Sequence, residues 1–271
     1  AQAAGDVSLA EADSDTARAF CKDLAAAAHW VGEVAEAWPA PMAHEYHRLR
    51  EILAEGRIVS AVLQLRDVAE VFIKFPCLVM ARWVQVEAAD EDLKTKVETA
   101  LLGKPLAMGA WLSLAGDVLA KGLRQAPSPL IARLAGWFRT ERGATTAAYK
   151  HLQELNNWRN AEIGHGALKL RLDDFTGELE SHIHKLNQIL AKTKKLWDGV
   201  VLQTEGGETL SSGWREIRER HERREPHPEE RLGLALIHDA GSLPLSPYVM
   251  LRRCTVCRKQ DIFLFDSRKG K

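Results

Sequence analysis

The chain has 271 residues, 46% hydrophobic and 27% charged, which is enough apolar material for one large core or two small ones in an ordinary globular protein. Its 37 basic and 37 acidic side chains cancel, so net charge draws it to no polyanion and any nucleic-acid contact must come from a local patch. No apolar run reaches the roughly 18 residues needed to span a bilayer, and no basic leader precedes a hydrophobic stretch at the start, so a cytoplasmic protein that avoids membranes is expected.

In chain order, a small, acidic first segment leads into a helix expected over residues 15–38 and halted by Pro39 and Pro41. Tyr46, Leu49 and Leu53 mark a second helix over 44–56, and Ile58, Val62, Leu65, Ala69 and Phe72 a third over 58–74. Pro76 should interrupt it, with 77–86 continuing as a buried segment. Further helices are expected over 90–102, 105–123 and 129–140, punctuated by Gly103, Pro127 and Pro129. Ala148, Leu152 and Leu155 then recur at spacings of four and three, the inward stripe of a helix starting near Ala144. A last long helix, capped by Asp173 or Asp174, has Leu179, Ile183, Leu186, Leu190 and Trp197 on its buried side, with Lys192, Lys194 and Lys195 at its carboxy-terminal end.

After Gly199 the character changes. A strand over 200–203, a polar link over 204–212 and a charged stretch over 213–231 precede three short strands expected over 232–238, 248–253 and 261–265. The chain thus divides into a first segment with one helix (1–43), a helical domain (44–198) and a charged linker with a small β-rich region (199–271). It opens on Ala1 and stops on Arg268-Lys269-Gly270-Lys271 just past a strand, as a piece of a longer protein would.

Chemistry is suggested most clearly at residues 158–166, Trp-Arg-Asn-Ala-Glu-Ile-Gly-His-Gly. An imidazole at His165 can take a proton from a ribose 2′-hydroxyl and return one to the departing 5′-oxygen. The guanidinium of Arg159 can hold the negative charge that builds on the phosphate, and Asn160 can hold the phosphate or orient the ring. No metal is needed for this. The spacing, taken loosely as Arg-x(4–6)-His, is weak by itself, because Arg215 with His221, Arg220 with His227 and Arg231 with His238 satisfy it too. Context singles out the first pair: Arg159 is the next position on the apolar stripe, where a guanidinium needs a partner or a cavity. On an unbroken helix Arg159 and His165 would diverge by about 120°, whereas Gly164 and Gly166 let the chain bend and return the imidazole. The plainer alternative makes Arg159 an arginine paired with Asp67 or Glu70, and His165 a helix-end histidine.

Cys254-Thr-Val-Cys257 falls where a turn should join two strands, the geometry of a zinc knuckle or half of a zinc ribbon. His221, His227 and His238 are the candidates to complete a structural zinc site; a redox dithiol and a metal-free tight turn are the other readings. Seven basic residues against two aspartates over 249–271 form the densest basic stretch, a solvated edge or an RNA-binding one. The eight tryptophans fall mostly on helix stripes, which suits core packing better than base stacking. His182 and His184, two apart on one helix, make a poor metal pair.

The tract from Arg159 to Gly166, an Arg-Asn-x(4)-His segment between two helices of an all-helical unit, resembles the HEPN superfamily at its arginine, the polar residue after it and the histidine. The resemblance covers about residues 44–198. It implies a mainly α fold, a multi-helix bundle of HEPN type, to which the sequence adds the small β-rich appendage with its CxxC turn. It further implies a metal-independent endoribonuclease of a toxin–antitoxin or antiphage-defence system, with Arg159 and His165 catalytic and Asn160 assisting; Glu162, Asp67 and Glu70 are the supporting residues that the sequence itself offers. RNA as substrate, a homodimer with one composite cleft, and an antitoxin or a larger defence complex as partner follow from the same likeness. So does the alternative of a non-catalytic module that binds nucleic acid or a protein.

Overall fold

The computed structural model describes residues 15–123, 126, 128–163, 172–210, 229–238, 241–256 and 260–266. Its helices are α1 (Asp15–Ala27), α2 (Gly32–Ala37), α3 (Ala40–Ala54), α4 (Ile58–Glu87), α5 (Glu91–Gly103), α6 (Met108–Ser113), α7 (Ala120–Gly122), α8 (Pro129–Phe138), α9 (Ala147–Trp158) and α10 (Leu172–Lys192). Two stretches widen into π-helix, Leu114–Leu119 between α6 and α7 and Arg159–Ile163 directly after α9. Six strands follow: β1 (Val201–Thr204), β2 (Thr209–Leu210), β3 (Glu229–His238), β4 (Gly241–Pro244), β5 (Val249–Cys254) and β6 (Gln260–Leu264).

The 30-residue α4 organises the protein, because buried residues occur on every side of it, from Ile58 through Val84. Its middle turns, Phe75 to Ala81, are buried all round, while Arg66, Asp67 and Glu70 leave one side of its first half partly exposed, so neighbouring elements wrap it on the remaining sides. Pro76, expected to end it, sits inside it instead. An interior proline gives up one backbone hydrogen bond and costs about 3 kcal/mol. Here Phe72, Phe75 and every residue from Cys77 to Ala81 are fully buried, and burying a large apolar side chain returns roughly 1.5–3 kcal/mol. Packing outweighs the local penalty.

The helix expected over 15–38 is two helices. The Trp30 indole donates to the Ala25 carbonyl at 2.9 Å, and the Val31 backbone N–H donates to the Tyr46 hydroxyl at 3.0 Å, so polar groups freed by the turn at 28–31 have partners. Tyr46 in turn donates to Asn187 Oδ1 at 2.6 Å, tying α3 to α10. Several remaining helices start on side-chain caps: Asp90 accepts from the Leu93 N–H, Ser128 from Ile131 and Thr146 from Tyr149. α10 begins at Leu172, so Asp173 and Asp174 fall in its first turn and do not precede it. Its stripe is as expected, with Leu179, Ile183, Leu186, Leu190 and the following Trp197 all buried.

The single helix expected over 105–123 divides into α6, a π segment and α7. The Gly116 carbonyl accepts from Arg139 Nε at 3.1 Å, while the Arg139 guanidinium pairs with Asp117 and lies 4.8 Å from the Tyr149 ring centroid. Side-chain bonding to a helix carbonyl goes with such a widened turn.

The sheet is antiparallel, in the order β2-β1-β3-β5-β6. β3 serves two registers on one edge: residues 229–233 pair with β5 and 235–238 with β4, a strand absent from the sequence expectation. Leu234, Leu236, Leu243, Leu245, Val249 and Leu251 join the same hydrophobic core as the helices. Polar ties to α4 add to this: Lys74 pairs with Asp266 at 2.6 Å, Arg82 donates to the Pro244 carbonyl at 3.0 Å and Gln85 to the Tyr248 hydroxyl at 2.6 Å. No helix among the described residues is long and apolar enough to cross a membrane.

A Cβ on Gly116 would lie 2.3 Å from a Tyr149 ring carbon. Gly116→Ala should therefore lower stability by about 1–3 kcal/mol, measured as a lower midpoint in urea unfolding. An unchanged midpoint would show that the ring moves aside freely.

Candidate functional site

α9 and α10 pack side by side, Leu152 and Leu155 of one and Leu179, Ile183 and Leu186 of the other all being buried. At the end of α9 the buried stripe closes on Trp158, and the next residue, Arg159, opens the π segment partly exposed. A guanidinium there keeps contact with water and escapes the penalty of an apolar seam. Its Nη1 donates to Asn160 Oδ1 at 3.0 Å, so the neighbouring amide braces one arm of a fork that carries five N–H groups in all.

Glu162 belongs to the same π segment by its backbone, while Gly164, His165 and Gly166 lie outside the described residues. Asp67 and Glu70 are engaged within α4. Asp67 accepts from Arg66 at 3.0 and 2.7 Å, and its carboxyl is raised above the usual range by burial, with Arg66 opposing. Glu70 pairs with Lys74 at 2.6 Å. The structure thus brings Arg159 and Asn160 together and gives Asp67 and Glu70 partners other than Arg159.

Cys254 ends β5 and is buried; Cys257, His221 and His227 lie outside the described residues. His238 is the last residue of β3. No group of three or more metal-capable side chains occurs among the described residues. Burial pushes the Cys21 thiol up to about 11 and raises Cys77 as well, so both stay protonated and inert near neutral pH.

Sequence reasoning passed over a pair of imidazoles just behind Arg159. His151 of α9 is 3% exposed, and its ring centroid lies 5.5 Å from that of His182 on α10. Trp158 stacks on the other ring, 5.0 Å from His182, and its indole N–H donates to Glu178. His151 Nε2 sits 3.2 Å from the His182 carbonyl, which fixes a proton on that nitrogen, and Nδ1 lies 3.5 Å from Glu154 Oε2. Lys185 completes the group by donating to Glu154 at 3.1 Å. Burial, then His151 and Lys185, push His182 down to about 4; His151 is lowered too, by burial, against the pull of Glu154. Both rings are neutral at neutral pH and act as packing groups. The signal was available, since His151 adjoins Leu152 on one stripe and His182 stands three residues after Leu179 and four before Leu186.

Comparison with family models, with curated proteins and with solved structures finds no match for this chain.

If Arg159 is held chiefly by exposed Asn160, replacing it should hardly touch the fold. Arg159→Ala is expected to change unfolding free energy by about 0.5 kcal/mol or less, as for surface substitutions generally. A loss of several kcal/mol in denaturant titration would instead mark it as a buried structural ion-pair residue.

Proposed function

We propose that this protein is a metal-independent endoribonuclease of the HEPN kind, working within a toxin or antiphage-defence system. The observation that supports this best is the position of Arg159: partly exposed, braced by Asn160, and opening a widened turn where α9 gives way to the tract containing His165. π-Helical turns are frequent at functional sites because they release backbone groups and re-aim side chains.

In this reading, neutral His165 removes the proton from a ribose 2′-hydroxyl and the oxygen attacks the adjacent phosphorus. The bond to the 5′-oxygen breaks, and the imidazolium returns its proton to that oxygen. A 2′,3′-cyclic phosphate and a free 5′-hydroxyl result. Arg159 holds the non-bridging oxygens as their charge grows, and Asn160 keeps the fork in place. A homodimer that juxtaposes two such tracts, and an antitoxin or defence complex that restrains it, belong to the same proposal. The HEPN assignment itself rests on the short Arg-Asn-x(4)-His segment.

The second reading is a non-catalytic module that binds a nucleic acid or docks a partner, and the balance of 37 basic and 37 acidic residues favours the partner within it.

Transfer RNA and total RNA incubated with the protein in chelator should yield fragments ending in 2′,3′-cyclic phosphate. Arg159→Ala and His165→Ala should each reduce cleavage by about 100-fold or more, the usual scale for losing an acid–base group or a charge-stabilising donor. Equal cleavage by the variants would reject the assignment. Binding without cleavage by all three would establish the module.

A further inference from the structure

We infer that the His151–His182 pair is a proton-sensitive clamp between α9 and α10, which holds the end of α9 in place when both rings are neutral and releases it on acidification. The inference concerns helix docking and does not depend on the nuclease reading.

The geometry makes the clamp one-sided. Neutral His151 spends its Nε2 proton on the His182 carbonyl across the helix pair at 3.2 Å, so the side chain of one helix is bonded to the backbone of the other. His182 lies between two aromatic groups of α9, His151 and Trp158, and its Nδ1 is buried without a hydrogen-bond partner among the described residues. A neutral ring tolerates that position with a bare lone pair. A proton there becomes a buried donor with no acceptor, on a cation facing another imidazole.

The charged groups acting on the pair do not relieve it. Among the described residues, Glu154 is the one carboxylate that acts on the two rings; it approaches His151, not His182 Nδ1, and already accepts from Lys185. Lys185, on His182's own helix, opposes protonation of both rings. Glu178 accepts from the Trp158 indole. The tilted Trp158 ring would attract a cation, but desolvation is the largest influence on His182 and disfavours its charged form.

The direction follows from linkage. The folded state holds His182 near 4 against an ordinary 6.5, so at intermediate pH the unfolded or locally opened form binds more protons. The contribution is complete above about 6.5 and is lost as pH falls towards about 4. Trp158, which stacks on His182, immediately precedes Arg159, so opening the clamp frees the start of the π segment first.

Amide hydrogen exchange of the intact chain, corrected for the pH dependence of intrinsic exchange, tests this at pH 7 and pH 5. Protection in 147–158 and 176–192 should fall about tenfold or more at the lower pH, while that in α4 holds. His182→Phe keeps a ring but cannot titrate, so it should retain its protection at pH 5. His184→Phe, one turn from Glu180 on the same helix, should behave as the unaltered protein. Flat protection in the unaltered protein, or an equal fall in His182→Phe, overturns the clamp. Should His182→Phe not fold, an NMR titration of the unaltered protein decides: His182 protonating only well below 6 supports the clamp, and an ordinary midpoint overturns it.

Discussion

The burial of most of α4, and of its middle turns on every side, is the constraint from which the rest of the arrangement follows. A 30-residue helix with so narrow a solvent face requires neighbours along most of its length, and α3, α8, α9, the first π segment and the edge of the sheet supply them. Trp38, Phe72 and Trp137 meet at ring separations of 5.8 to 6.1 Å against it, and Phe75 meets Trp197 at 5.4 Å. Such pairs add about 0.5–1.5 kcal/mol each beyond the area they bury. The position of α9, and with it of Arg159, is therefore set by the core and not by the loop that follows.

Both π segments adjoin α9. The first packs Gly116 under Tyr149 in the opening turn of α9, and the second begins at Arg159, directly after its last residue. At the first, the departure from α-helix has a visible cause in the Arg139 side chain bonded to the Gly116 carbonyl. At the second, the change coincides with the step from a buried tryptophan to a partly exposed arginine. A regular α-helix carrying the Leu152–Leu155 stripe forward would have driven Arg159 towards the core.

Much of the fold was legible. Apolar spacing located most of the helices and put starts at residues 90 and 129 and near Ala144; the caps Asp90, Ser128 and Thr146, short polar side chains that satisfy free N–H groups, fix those starts in the structure. The alternation of Val249, Met250, Leu251 and Arg252 gave away β5. What was hidden depended on distant parts of the chain. Pro76 looks like a breaker until Phe72 and Cys77–Ala81 are seen to be buried; the break at 28–31 depends on Tyr46, and the first π segment on Arg139 and Tyr149. β4 is too short for a pattern and exists because β3 offers it an edge. For the candidate site, Arg159 and Asn160 were legible from a motif. His151 and His182 each lie on an inward stripe that the sequence shows, but that the two rings pair becomes visible only where the helices meet.

The functional account comes down to whether Arg159 and His165 act on the same phosphodiester. An oligonucleotide with 2′-deoxy sugars throughout cannot be cleaved by the proposed route but should still dock. The His165 imidazole resonance should move when this ligand is added to the unaltered protein, and should stay put when it is added to Arg159→Ala at the same concentration. An imidazole indifferent to the ligand in both proteins would contradict the account.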